Sequence, residues 1–174
     1  GGTAVGLRAD PRDQFDLERL METAARQAGP IDVLIPAAIV DHDPTGDQAL
    51  PTVSYSAFDD VIRTNLRGRF AAIREAVPHF ADDGLALVPL TGGGDALDQS
   101  RPVSISAAGA RGLVEVAASD LDQSVVGVEF DRPTGREPRD EDFESVATTI
   151  TAGVDTAAIH DGRVITVDEL RDGA

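Results

Sequence analysis

Apolar residues along this chain fall into two alternating kinds of segment: short continuous runs and longer stretches with a helical period. Ile31–Ala37 and Leu85–Leu90 are continuous runs of strand length, as expected of strands covered on both faces. Ser124–Phe130 and Arg163–Val167 read as further strands. Thr3–Ala9, a short apolar stretch ending in a charged turn, reads as the first. Between them, Phe15–Ala28 repeats Leu17, Leu20, Met21, Ala24 and Ala28 at helical spacing, and Gly29-Pro30 stops it. A second helix over Ala57–Phe80 carries Phe58, Val61, Ile62, Leu66, Phe70, Ile73 and Val77 on its expected buried side. Ser56 is its candidate cap, with Asp59 three residues on. Pro78 and the Asp82-Asp83-Gly84 turn close it. Val103–Leu121, rich in Ala and Gly, and Asp140–Ala152 are the remaining helices. The polar stretches Val40–Val53 and Arg132–Arg139 contain Pro and read as loops.

Strands that alternate with helices predict an α/β fold, an open parallel sheet with helices on both faces. At 174 residues the chain makes one domain, 1–174, large enough to bury a core. No apolar run approaches the ~18–20 residues of a membrane span. No charged start and apolar stretch suggests a signal peptide. The chain does not begin with Met, as expected of a processed or truncated end. A cytoplasmic location is the default expectation.

Charge changes the picture more than composition does. There are 31 acidic residues and 15 basic ones, every one of the latter Arg, for a net charge of −16. Such a surface repels phosphate backbones and anionic membranes, which argues against nucleic acid and membrane partners. It fits a halophile's hydrated surface and a GC-rich genome equally well. Cysteine is absent, which excludes disulfides and thiolate metal sites.

Candidate chemistry is sparse. Asp41-His42-Asp43 offers three metal ligands in a loop, but adjacent residues rarely converge on one ion, so a solvated acidic loop is expected and no metal. Thr91-Gly92-Gly93-Gly94 follows a strand without the Lys of a phosphate loop, and reads as a turn. His79 and His160 lack a nucleophile or carboxylate at telling spacing. Tyr55, near a helix start, is a candidate for lining a cleft or for packing.

Four segments carry a family resemblance. They are Leu7-Arg8-Ala9-Asp10, Gly29-Pro30-Ile31-Asp32-Val33-Leu34-Ile35, Ile62-Arg63-Thr64-Asn65-Leu66-Arg67-Gly68 and Asp161-Gly162-Arg163-Val164-Ile165-Thr166-Val167-Asp168. In order and spacing the chain resembles the short-chain dehydrogenase/reductase family from that family's third strand to its last. The resemblance implies a Rossmann-like sheet that lacks the N-terminal βαβ dinucleotide-binding portion. It also implies Asp10 at the strand end that borders the cofactor's adenine, and Asn65 at the catalytic relay position. With the strands between them missing, Thr3–Ala9 is expected to pair directly beside Ile31–Ala37, completing a five-stranded sheet.

The same resemblance exposes departures. Gly92, Ile105 and Gly109 stand where the family carries Ser, Tyr and Lys. In the family the Tyr hydroxyl moves the substrate proton, the Lys lowers its pKa and holds the nicotinamide ribose, and the Ser orients the substrate oxygen. Ile105 cannot transfer a proton, and Gly109 has no side chain. Thr91 could replace the Ser only if the strand end bends, because adjacent strand residues face opposite ways. The family's Asn-Asn-Ala-Gly has become Pro36-Ala37-Ala38-Ile39, so Ala37 and Ile39 are vestigial and Ile39 fills space that Gly leaves for the cofactor. The Pro-Gly that contacts nicotinamide has no match around Phe130-Asp131. The expectation is a catalytically degenerate protein with no bound NAD or NADP. It would act as a non-catalytic subunit of a homo- or hetero-oligomer, pairing through helices 57–80 and 103–121. Two alternatives stand: an NAD(P)-dependent oxidoreductase, or a fragment of one, with a non-standard site, and a small-ligand sensor that uses the vestigial cleft.

Overall fold

The computed structural model describes residues 2–42, 49–91, 100–130 and 140–172. The elements run α1 (Gln14–Ala28), β1 (Ile31–Leu34), a 3-10 turn (Leu50–Thr52) and α2 (Tyr55–Val61). A π-helical segment (Ile62–Arg67) joins α2 to α3 (Gly68–Ala76). β2 (Phe80–Thr91), α4 (Arg101–Asp120), β3 (Ser124–Phe130), α5 (Asp140–Ala157), β4 (Val164–Thr166) and α6 (Val167–Asp172) follow. The described strands form one parallel sheet in the order β1-β2-β3-β4.

The apolar runs do what their lack of alternation predicts. Ala86, Val88 and Leu90 of β2 and Val125 of β3 pack with Met21, Ile73, Ala110 and Val114 from α1, α3 and α4. Leu85 and Leu87 of β2 and Val126, Val128 and Phe130 of β3 face the other way, onto Ala157 and Leu170 of α5 and α6. Residues two apart share a face, so each strand feeds two cores. Burying a residue such as Leu87 in full contributes on the order of 1.5–3 kcal/mol.

Local chemistry sets the helix ends. Asp13 caps α1, its Oδ1 accepting from the backbone N–H of Phe15 (2.9 Å) and Asp16 (3.4 Å). Gly29 ends the helix at φ 97°, a conformation other residues rarely adopt, and its N–H donates to the Ala25 carbonyl. Ser54, not Ser56, caps α2, accepting from Ala57 N–H at 3.2 Å. Ser56 Oγ instead shares a hydrogen bond with Ser54 Oγ.

Three expectations fail. Thr3–Ala9 forms no strand, and Val5 and Leu7 are exposed. Among the described residues the sheet therefore has four strands, not five. In the next turn Pro11 packs against Gly68, and Arg67 Nη1 donates to the Arg12 carbonyl at 3.4 Å. These contacts tie the turn that follows Thr3–Ala9 to the π segment and α3, and no strand pairs with Thr3–Ala9. Second, Asp82-Asp83-Gly84 lies within β2. The register passes from Ile31↔Phe80 to Val33↔Leu85, so these residues bulge from the ladder without ending an element. Third, the long helix buries a different face from the one expected. Phe70 is half exposed, whereas Arg69 is 4% exposed. Val61, Asn65, Gly68, Arg69, Ala72, Ile73 and Ala76 make up the buried face, three or four residues apart, and Phe70, nine residues from Val61, falls on the opposite side of the helix.

Candidate active site

The π segment places Asn65 in the interior, with no exposed surface. Its Oδ1 accepts from Val40 N–H at 2.8 Å and its Nδ2 donates to the Val40 carbonyl at 2.9 Å. The carboxamide thus pairs with both backbone groups of one residue in the loop after β1. Its own carbonyl is taken as well, by a hydrogen bond from Arg69 Nη1. Side chain and carbonyl of Asn65 are both engaged in holding the π segment to its surroundings.

Arg69 was not anticipated. Besides Asn65 it reaches the Pro89 carbonyl of β2, Nη2 donating at 3.0 Å. Burial lowers its pKa to about 10, so the guanidinium stays charged at neutral pH. Its Nε has no hydrogen-bond partner. Arg69 lies four residues beyond Asn65, so the helix turns both to the same face, but a charged residue gives no sequence signal of burial. Arg111 is a second unanticipated group. Its Nε donates to Glu129 Oε1 at 2.9 Å, and Nη2 donates to the same oxygen, tying α4 to the carboxyl end of β3.

The structure brings Gly109 to the π segment. A Cβ at this position would lie 2.7 Å from Leu66 Cδ2 and 3.2 Å from Leu66 Cδ1. Gly109 is thus a packing position where α4 crosses the residue next to Asn65. Gly109→Ala should therefore couple to Leu66→Ala. Alone, it sets helix propensity against overpacking. In the Leu66→Ala background it should stabilise by about 0.5–1 kcal/mol. Urea denaturation of the four proteins should give a coupling of about 1–2 kcal/mol. Additivity within about 0.5 kcal/mol would show that Leu66 does not occupy this space.

The other candidates separate. Ile105 lies on the exposed side of α4, 43% exposed. Gly92, Gly93, Gly94 and Asp43 lie outside the described residues. So do Asp131 and the side chain of Thr91. Ala37 and Ile39 are exposed on the loop after β1, where Ala37 N–H donates to the Ile35 carbonyl. Asp10 accepts from Arg12 through both carboxylate oxygens, and this guanidinium holds its pKa below the usual carboxylate range. His42 Nε2 lies 3.4 Å from Asp60 Oδ2. Among the described residues no three His, Asp or Glu side chains are placed to share an ion. Tyr55 is 91% exposed and neither lines a cleft nor packs. Both ring nitrogens of His160 are buried without a partner.

The family model described as enoyl-(acyl carrier protein) reductase matches residues 1–129. The chain is 27% identical over 134 residues to a short-chain type dehydrogenase/reductase of Mycolicibacterium smegmatis, covering 75% of this chain and 47% of that one. It is 29% identical over 140 residues to a short chain dehydrogenase/reductase of Aspergillus aculeatus, covering 78% and 50%. The chain belongs to the short-chain dehydrogenase/reductase family. It spans about half the length of the curated relatives it matches. A crystal structure of a dehydrogenase/reductase from Sinorhizobium meliloti superposes with a TM-score of 0.73 at 25% identity, over 95% of this chain and 73% of that one. The parallel Rossmann-like sheet is therefore the dehydrogenase/reductase fold. Among the described residues no helix is long and apolar enough to cross a membrane.

Proposed function

We propose that this short-chain dehydrogenase/reductase chain is a non-catalytic subunit that supports an active dehydrogenase-type partner or a homo-oligomer. The observation that carries the reading is Gly109 packed on Leu66 where the family has Lys. Ile105, in place of the Tyr, has no proton to give, and Asn65 has both ends committed to structure. The residues do not fit a nicotinamide cofactor. Position 105 has no hydroxyl, position 109 has no ammonium, the Asp10 carboxylate is held by Arg12, and Ile39 stands exposed in place of the family's Gly. No step through the cofactor is derived.

What remains for α4 is contact. Ala107, Ala110 and Ala117 face the chain's own core, so the packing of α4 on its own sheet accounts for three of its seven Ala and Gly residues. Ile105, Ala108, Gly112 and Val116 form an outward stripe, with nothing within 4 Å of a Cβ built on Gly112. Phe70 of α3 is also outward. A subunit that binds only the folded partner stabilises it by mass action. The test mixes the purified chain with an intact dehydrogenase/reductase from the same source. A rise in the partner's thermal midpoint, with no hydride transfer by this chain alone, is expected. The competing reading, an oxidoreductase that uses other groups, is supported by the relatives' names, and turnover of NADH or NADPH by the chain alone would favour it.

A further inference from the structure

We propose that Arg69 anchors a binding site for a small free carboxylate at the carboxyl end of β2. The chain has 31 acidic residues, yet among the described residues the hydrogen-bond partners of this guanidinium are two neutral carbonyls, those of Asn65 and Pro89. Two of its five N–H donors are engaged on opposite flanks, one on the π segment and one on β2. The Nε–H is buried and unpartnered among the described residues. A buried cation without a counter-charge among the described residues, one of whose N–H groups has no acceptor, is costly, and an anion supplies both at once. The carboxyl ends of parallel strands are where α/β sheets receive ligands, and π segments recur at functional sites.

The chemistry of the donor sets the ligand class. A guanidinium presents Nε–H and an Nη–H as a planar fork, which matches a planar carboxylate better than a spherical ion. At 4% exposure Arg69 admits only a small partner, so formate is the probe. The fork is specific for shape as well as charge, and it is this specificity that separates a site from screening of a buried charge. The inference is independent of the subunit reading, since a chain that does no chemistry can still bind a ligand.

The experiment titrates the purified 174-residue chain, ¹⁵N-labelled, with sodium formate against sodium chloride at matched ionic strength. The Arg69 Nε–H resonance is identified by its loss in Arg69→Lys. A saturable shift of that resonance with formate alone is expected. At ten times the dissociation constant the thermal midpoint should also rise, by about 3–6 °C, and Arg69→Met should abolish the rise. A resonance that ignores formate, or that responds equally to chloride, would overturn the proposal. The wild-type titration decides even if Arg69→Met does not fold.

Discussion

Asn65→Leu should destabilise the fold by about 2–4 kcal/mol, because each buried backbone group left without a partner costs roughly 1–3 kcal/mol. Leu repeats the branched skeleton of Asn with a larger volume, so none of the loss comes from a cavity. What disappears is the pair of hydrogen bonds to Val40, which join the loop after β1 to the π segment. For a domain of this length the thermal midpoint should fall by about 4–16 °C. Calorimetry measures it directly. A change of under about 0.5 kcal/mol would mean that the carboxamide is not structural and is free for chemistry.

Gly112→Arg should weaken self-association at least about tenfold, equivalent to about 1.4 kcal/mol, while leaving the fold intact. Gly112 is exposed on α4 with open space around its Cα, so the new side chain meets only a partner. Ala110→Arg is the contrasting variant. Ala110 has no exposed surface, packs in the chain's own core, and cannot hold an Arg without unfolding the α4 contact. Light scattering across a salt series reads both. Repulsion between chains of net charge −16 opposes assembly. Salt screens it over about 10 Å at 0.1 M, so the wild type should assemble more strongly as salt rises. A monodisperse monomer at every salt concentration would defeat self-association.

How much of this was legible depended on whether the signal was local. Ser124–Phe130 reads as a strand and is one, residue for residue. Val103–Leu121 reads as a helix, and α4 spans Arg101–Asp120. Their patterns are set by burial on one face or two, which periodicity records. Thr3–Ala9 has the composition of a strand, but a strand also needs an edge to pair with, and composition does not say whether one is within reach. Arg69 lies on the buried face and Phe70 on the opposite one, but the apolar Phe and the charged Arg signal the reverse, so periodicity read from apolar residues alone picks the wrong face. Asn65 was legible as the family's relay position, but not its partner Val40, because that pairing spans 25 residues. Gly109 reads in the sequence as a lost Lys. Only the crossing of α4 over Leu66 shows that the glycine has a packing role of its own.

The central claim is that the family's chemical positions now serve structure. Calorimetric titration of the purified chain with NADH and with NADPH tests it most directly. The account predicts no measurable binding of either, because Ile105 and Gly109 offer the nicotinamide ribose no polar group and Asp10 is already held by Arg12. Micromolar affinity for either cofactor would contradict it.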